Sequence, residues 1–138
     1  MKLLLAAGLL ALGARAAFAQ DLEPIRTPSD NIHCLFIDEE GEIAVACEMS
    51  ERNAGAPARP MPVDCELDWG NRFAVAATGE AGLVCHGDTL ISPASPILAY
   101  GEEMERGGIA CLSEKTGLTC RNNDGHGFRL SRAKQELF

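Results

Sequence analysis

Ile32-His33-Cys34-Leu35-Phe36-Ile37-Asp38-Glu39-Glu40-Gly41-Glu42-Ile43-Ala44-Val45-Ala46-Cys47-Glu48-Met49 is the stretch that decides the fold class. Both arms are rich in β-branched, aromatic and other apolar residues, and a polar, Gly-containing run separates them. Residues 32–37 and 43–49 read as two strands. If Cys34 faces Cys47, then Phe36 faces Val45, Asp38 faces Ile43, and Glu40-Gly41 remains as a two-residue hairpin loop. Cys34, Phe36, Val45 and Cys47 then share one face; Leu35, Ile37, Ala44 and Ala46 share the other. Both faces are apolar, so cover is expected on both sides.

The same logic applies near the C-terminus. Facing Cys111 with Cys120 pairs Leu112 with Thr119 and Ser113 with Leu118, leaving Glu114 to Gly117 as a four-residue loop. Directly opposed strand positions satisfy the short Cβ separation of a disulfide. Ile32-His33-Cys34-Leu35 and Ile109-Ala110-Cys111-Leu112 are also alike, which suggests an internal repeat. Elimination then pairs Cys65 with Cys85, around a strand at 73–77, a turn at 78–82 and Leu83-Val84-Cys85.

Between these units, residues 53–62 are rich in Pro, Ala and Gly and read as a surface connector. Residues 88–96 are another turn-rich passage. Tyr100 to Gly108 reads as a loop between strands. In the tail, Phe128 and Leu130 share a strand face, and Ser131 is placed to cap a short C-terminal helix.

The N-terminus places the domain. Lys2, the apolar run Leu3 to Leu12 and Ala17-Phe18-Ala19 fit a secretory signal peptide over residues 1–19, cleaved before Gln20. The apolar run is shorter than the roughly 20 residues of a membrane-spanning helix. Residues 20–138 are then one β-rich domain, with 20–30 an extended lead-in. Loss of Lys2 and Arg15 leaves ten basic against twenty acidic residues, a formal net charge of −10. Such a surface disfavours nucleic acid and anionic lipid, whose binding needs Lys and Arg against phosphate. All six cysteines fall in the exported part, as an oxidising compartment requires of a disulfide scaffold. Each disulfide contributes roughly 2–4 kcal/mol by restricting the unfolded chain.

Candidate chemistry lies in four places. Asp64-Cys65-Glu66-Leu67-Asp68-Trp69-Gly70 alternates carboxylates with Cys65, Leu67 and Trp69. As a half-buried strand it turns the apolar set inward; as a binding surface it offers Asp64, Asp68 and Trp69 to a cation or a sugar. His86-Gly87-Asp88 and Asp124-Gly125-His126-Gly127 each place a His near a carboxylate, the pattern of a general base or metal ligand. Tyr100 is a candidate ligand contact. No G-x-S-x-G elbow or H-E-x-x-H run is present. Two Gly-flanked His residues fall short of the three protein ligands of a catalytic zinc site. No catalytic residue, metal or cofactor is therefore assigned.

Several segments together resemble a known family: Pro28 to Cys34, Asp64 to Gly70, Cys85-His86-Gly87-Asp88-Thr89, Tyr100-Gly101, Cys111 to Cys120, Gly125-His126-Gly127-Phe128 and Leu130-Ser131-Arg132. In this order they resemble an uncharacterised family of small exported bacterial proteins, the domain of unknown function 6636 family. The resemblance implies export and the cysteine framework, and supplies no activity.

The expectation is an all-β domain built from hairpins with three disulfides, exported to the periplasm or beyond. The leading function is a non-enzymatic binding module of the cell envelope. Its partner would be a cationic envelope protein or a saccharide, and one specific form is an inhibitor of a cationic hydrolase such as a lysozyme. The rivals are a small hydrolase using His86, Asp88 and His126, and a structural envelope component. Stable membrane insertion after signal cleavage is not expected.

Overall fold

Cys34 stands opposite Cys47, Phe36 opposite Val45 and Asp38 opposite Ile43, the register that the hairpin sequence dictates. Glu40 and Gly41 close the loop with φ of 56° and 91°, both left-handed, as a two-residue turn matched to strand twist requires. The computed structural model describes residues 20–138 and Gly13. The signal peptide expected at residues 1–19, apart from Gly13, and its cleavage site lie outside the described residues.

Two five-stranded antiparallel sheets are each laid down in chain order. The first contains β1 (Gln20–Arg26), β2 (Ile32–Glu39), β3 (Glu42–Met49), β4 (Arg72–Ala76) and β5 (Gly82–Leu83). The second contains β6 (Glu103–Arg106), β7 (Ile109–Glu114), β8 (Gly117–Asn122), β9 (Gly127–Leu130) and β10 (Gln135–Leu137). Among the described residues there is no helix long and apolar enough to cross a membrane.

The sheets repeat one pattern. Across the first, Ile25, Cys34, Cys47, Phe73 and Leu83 are successive lateral partners. Across the second, Met104, Cys111, Cys120, Phe128 and Leu137 form the same row. The inner faces pack together, with the Phe73 and Phe128 ring centroids 6.0 Å apart. Both rings are fully buried, each removal from water stabilising by about 1.5–3 kcal/mol. The likeness of the two cysteine hairpins thus extends to all ten strands.

The disulfides are Cys34–Cys47, Cys65–Cys85 and Cys111–Cys120, as the pairing argument expects. The outer face of the first hairpin is covered in part. The passage after Asp88 crosses it, with the Leu90 amide donating to Glu48 (2.7 Å) and the Ser92 amide to His33 Nδ1 (3.1 Å).

Four local expectations are corrected. The second cysteine hairpin has a two-residue loop, Lys115-Thr116, because Glu114 and Gly117 also pair. Glu103–Arg106 is strand β6: Met104 turns toward the core between exposed Glu103 and Glu105. Residues 135–137 form β10 in place of a short helix. Ser131 and Lys134 exchange backbone hydrogen bonds (2.9 and 3.2 Å), and the Lys134 amide also donates to Ser131 Oγ. The serine that suits a helix cap equally suits this hairpin turn. Last, Asp64–Gly70 is no regular strand. Pro62 opens a turn in which the Cys65 amide donates to Pro62 O (3.1 Å), and only Asp68 pairs across, with His86.

Candidate functional site

The repeat shows where the chain does something the fold does not need. The connection from β8 to β9 takes four residues, 123–126, whereas the equivalent connection from β3 to β4 takes twenty-two, 50–71. Each other pair of equivalent connections is short in both sheets. The 50–71 excursion is the one large break in the symmetry.

It is irregular but firmly held. The Asn31 side chain clasps the Glu51 backbone with two bonds, 3.0 and 2.8 Å. The Asn53 amide donates to Arg132 O (2.8 Å) on the second sheet's last turn. Trp69 Nε1 donates to Arg59 O (2.9 Å), folding the excursion back on itself. Gly70 has φ +107°, and a Cβ there would press on Pro57 and Arg52 at 3.3 Å. At its far end Asp68 and His86 exchange backbone bonds, and Cys65–Cys85 ties the loop to the strand region beyond β5.

The tip faces solvent. Val63 is fully exposed (105 %), Leu67 is 57 % and Met61 48 % exposed. Asp64, Glu66 and Asp68, which follow and flank Val63 and Leu67 in sequence, are also exposed. The inward alternation expected for Cys65, Leu67 and Trp69 holds for Cys65 alone, which is buried. Trp69 is half-buried and Leu67 points out, because the turn at Pro62 breaks the strand alternation. Three exposed apolar side chains thus fall within seven residues of one loop, on a polar background.

Where the excursion rejoins the sheet at β4 lies a charged network, buried at Glu48 and Arg72 and exposed at Asp88. Arg72 donates to Glu48 Oε2 and to Asp88 Oδ1, each at 2.8 Å. Glu48 also accepts from the Leu90 amide and from Thr89 Oγ1 (3.0 Å). Burial alone would raise the Glu48 carboxyl. The Leu90, Arg72 and Thr89 hydrogen bonds outweigh it and hold the group below the usual carboxylate range. The Arg72 guanidinium does the same for the exposed Asp88 carboxyl. His86 is buried, with Nδ1 2.7 Å from Asp88 O and Nε2 2.8 Å from Asn71 Oδ1. The Nε2 contact ties the 84–90 segment to Asn71 at the start of β4, and the Nδ1 contact braces that segment's own turn at Asp88.

The candidate residues named from sequence therefore fall into three places. Asp64, Asp68, Trp69, His86 and Asp88 belong to the excursion and its support. Tyr100 is partly exposed and borders a separate cleft of about 450 Å³ with Thr27, Ser29, Asn31, Lys115 and Arg132. His126 sits beyond the other end of β4, its Nδ1 3.4 Å from Phe138 O. There Asn122 donates to Ala76 O and Gly79 O, and Asp124 accepts from the Gly79 amide. His86 and His126 thus flank opposite ends of a five-residue strand, about 13 Å of extended chain. Among the described residues, no three His, Cys, Asp or Glu side chains gather to hold a metal ion.

Sequence reasoning missed Met61, Val63, Glu48 and Arg72. Pro60-Met61-Pro62-Val63 carried a signal for the first two: large apolar residues between prolines that bar a ladder strand.

A family model described as a family of unknown function (DUF6636) matches residues 4–138. The chain belongs to this family. No curated protein and no solved structure matches it. In this chain the DUF6636 domain is two antiparallel meanders packed face to face, with one long excursion between the third and fourth strands.

Proposed function

We propose that this DUF6636 domain is a non-enzymatic, exported binding module that inserts the tip of the 50–71 excursion into a cationic protein partner. The observation that carries the reading is Val63, fully exposed on a turn pinned by the Cys65–Cys85 disulfide. Apolar anchors on a preformed loop bind without the ordering cost of a flexible one. Asp64, Glu66 and Asp68 are exposed on the same loop, so the complementary surface is an apolar pocket flanked by Lys and Arg. The same carboxylates disfavour anionic lipid and nucleic acid.

The three disulfides suit an oxidising, extracytoplasmic compartment. The folded turn at Pro62–Cys65 presents a side chain rather than an extended backbone, so the tip acts as a plug and not as an added strand. A cationic envelope hydrolase with an apolar-lined cleft fits that chemistry, and the module would then be its inhibitor. Affinity capture from native envelope with the oxidised domain tests this, with wild type and Val63→Asp compared side by side. A basic protein retained by wild type, released by salt and lost in the variant is expected. Equal retention by both contradicts the reading.

A further inference from the structure

We propose that Cys65–Cys85 is a reducible latch on the binding excursion, opened by a protein dithiol while the other two disulfides stay closed. This regulation rests on the reading of the excursion as the binding surface.

Exposure separates the three bonds. Cys47, Cys111 and Cys120 are fully buried and Cys34 is 3 % exposed. Cys85 is exposed, whereas its partner Cys65 is buried at 8 % exposure, so access to this bond is from the Cys85 side. Thiol–disulfide exchange needs a thiolate to reach a sulfur directly. Cys85 offers that approach in the native fold; the four core sulfurs offer it only after the sheets part.

The consequences of opening differ too. Cys34–Cys47 and Cys111–Cys120 join neighbouring strands in the middle of each sheet. Cys65–Cys85 joins the excursion to residues outside any strand. When it opens, the Asn31–Glu51 clasp, the Asp68–His86 pair and the Glu48–Arg72–Asp88 network still hold the frame. Residues 60–67 lose their covalent tether. The reduced thiol is also accommodated: Cys65 Sγ is 3.7 Å from Leu67 O and 4.0 Å from Asp68 O, both acceptors for S–H.

The chemistry balances as a two-electron exchange. A thiolate of a Cys-x-x-Cys protein attacks Cys85 Sγ, the Cys85–Cys65 bond breaks, and Cys65 leaves as thiolate and takes up a proton. The second thiol of the reductant then attacks the mixed disulfide and releases Cys85. The domain gains two electrons and two protons, and the reductant becomes a disulfide. The freed turn must be re-ordered on binding, so affinity falls.

The test uses the folded, oxidised protein with thioredoxin, its reductase and NADPH, quenched by alkylation and mapped by mass spectrometry. Cys65 and Cys85 should be alkylated at least about 100-fold faster than the other four, with the near-ultraviolet dichroism of the core retained. Joint loss of all three bonds, or earlier opening of Cys34–Cys47, overturns the proposal. The Cys65→Ser/Cys85→Ser protein provides a second arm. It should fold with the two core disulfides intact and retain the basic partner at least about tenfold more weakly. Failure of that protein to fold, or undiminished retention, overturns the latch. Selective reduction needs no partner, so a wild-type domain that captures nothing would count against the binding reading alone.

Discussion

Cys47 Sγ lies 3.9 Å from Cys120 Sγ, so the two strand-joining disulfides touch across the space between the sheets. These cysteines occupy equivalent places in the two five-stranded rows, as do Phe73 and Phe128, which also meet. Contact between equivalent residues is what a two-fold relation between halves produces. The centre of the domain is thus a packed pair of like surfaces, each cross-linked within its own sheet.

Ser113 tests that relation. It is fully buried, and its hydroxyl has no hydrogen-bond partner. Counting from the cysteines, it stands where the first sheet has Phe36. An unpaired buried hydroxyl costs about 1–3 kcal/mol, so Ser113→Ala should leave stability unchanged or raise it. Urea unfolding checks this, and a loss above about 1 kcal/mol would mean the hydroxyl is satisfied.

Gly127 should matter more than His126. A Cβ on Gly127 would overlap Cys120 O on the neighbouring strand. The glycine is required by close approach there, while at Gly125 it is required by φ +81°. His126 is half-buried and makes one long side-chain contact. Gly127→Ala should cost about 1–3 kcal/mol or more, the range for overpacking. His126→Ala should cost less. Paired thermal melts decide, and the opposite order would reopen His126 as a functional residue.

Breaking the Glu48–Arg72 pair should be costly and pH-dependent. Arg72→Ala leaves Glu48 buried without its cation, a loss of about 3–5 kcal/mol. Glu48 and Asp88 both have depressed carboxyl pKa values. A depressed carboxylate contributes stability above its unfolded pKa and loses it as pH falls through the folded value. The wild type should therefore lose stability as pH drops below the ordinary carboxylate range, near 4.5 for Glu48. Glu48→Gln should flatten that decline. Denaturant midpoints at pH 7 and pH 3 compare the two, and parallel declines would contradict the assignment.

The exported form should begin at Gln20. Ala17-Phe18-Ala19 and the Lys2-led apolar run motivate this expectation. Intact-mass measurement of protein recovered from the periplasm or medium checks it. Exported material that still starts at Met1 would count against it.

The hairpin registers were legible because opposed cysteines and alternating apolar residues admit one alignment each. A one-residue slip would have turned Phe36 and Val45 outward. The edges were less legible. β10 forms because the Gly127 and Phe138 backbones exchange bonds (3.0 and 3.1 Å), a contact that no side chain announces. Residues 53–62 were legible as a connector, but the anchoring of the 50–71 excursion was not: Asn53 and Asp68 hold it through backbone groups of the distant residues Arg132 and His86. Asp64–Gly70 misled because alternation alone does not supply a partner strand. The neighbours of His86 and Asp88 show both residues holding a loop in place, which the sequence pattern alone does not reveal.

The central claim is that Val63 on its pinned turn is the binding contact. The direct measurement is a calorimetric titration of the captured basic protein into the oxidised domain, wild type against Val63→Asp, with melting temperatures recorded for both. Val63 is fully exposed, so the variant should melt within about 2–3 °C of wild type, as exposed substitutions do. The account predicts an affinity loss of at least about tenfold, the effect of removing an apolar anchor. Unchanged affinity in a fully folded Val63→Asp protein would contradict it.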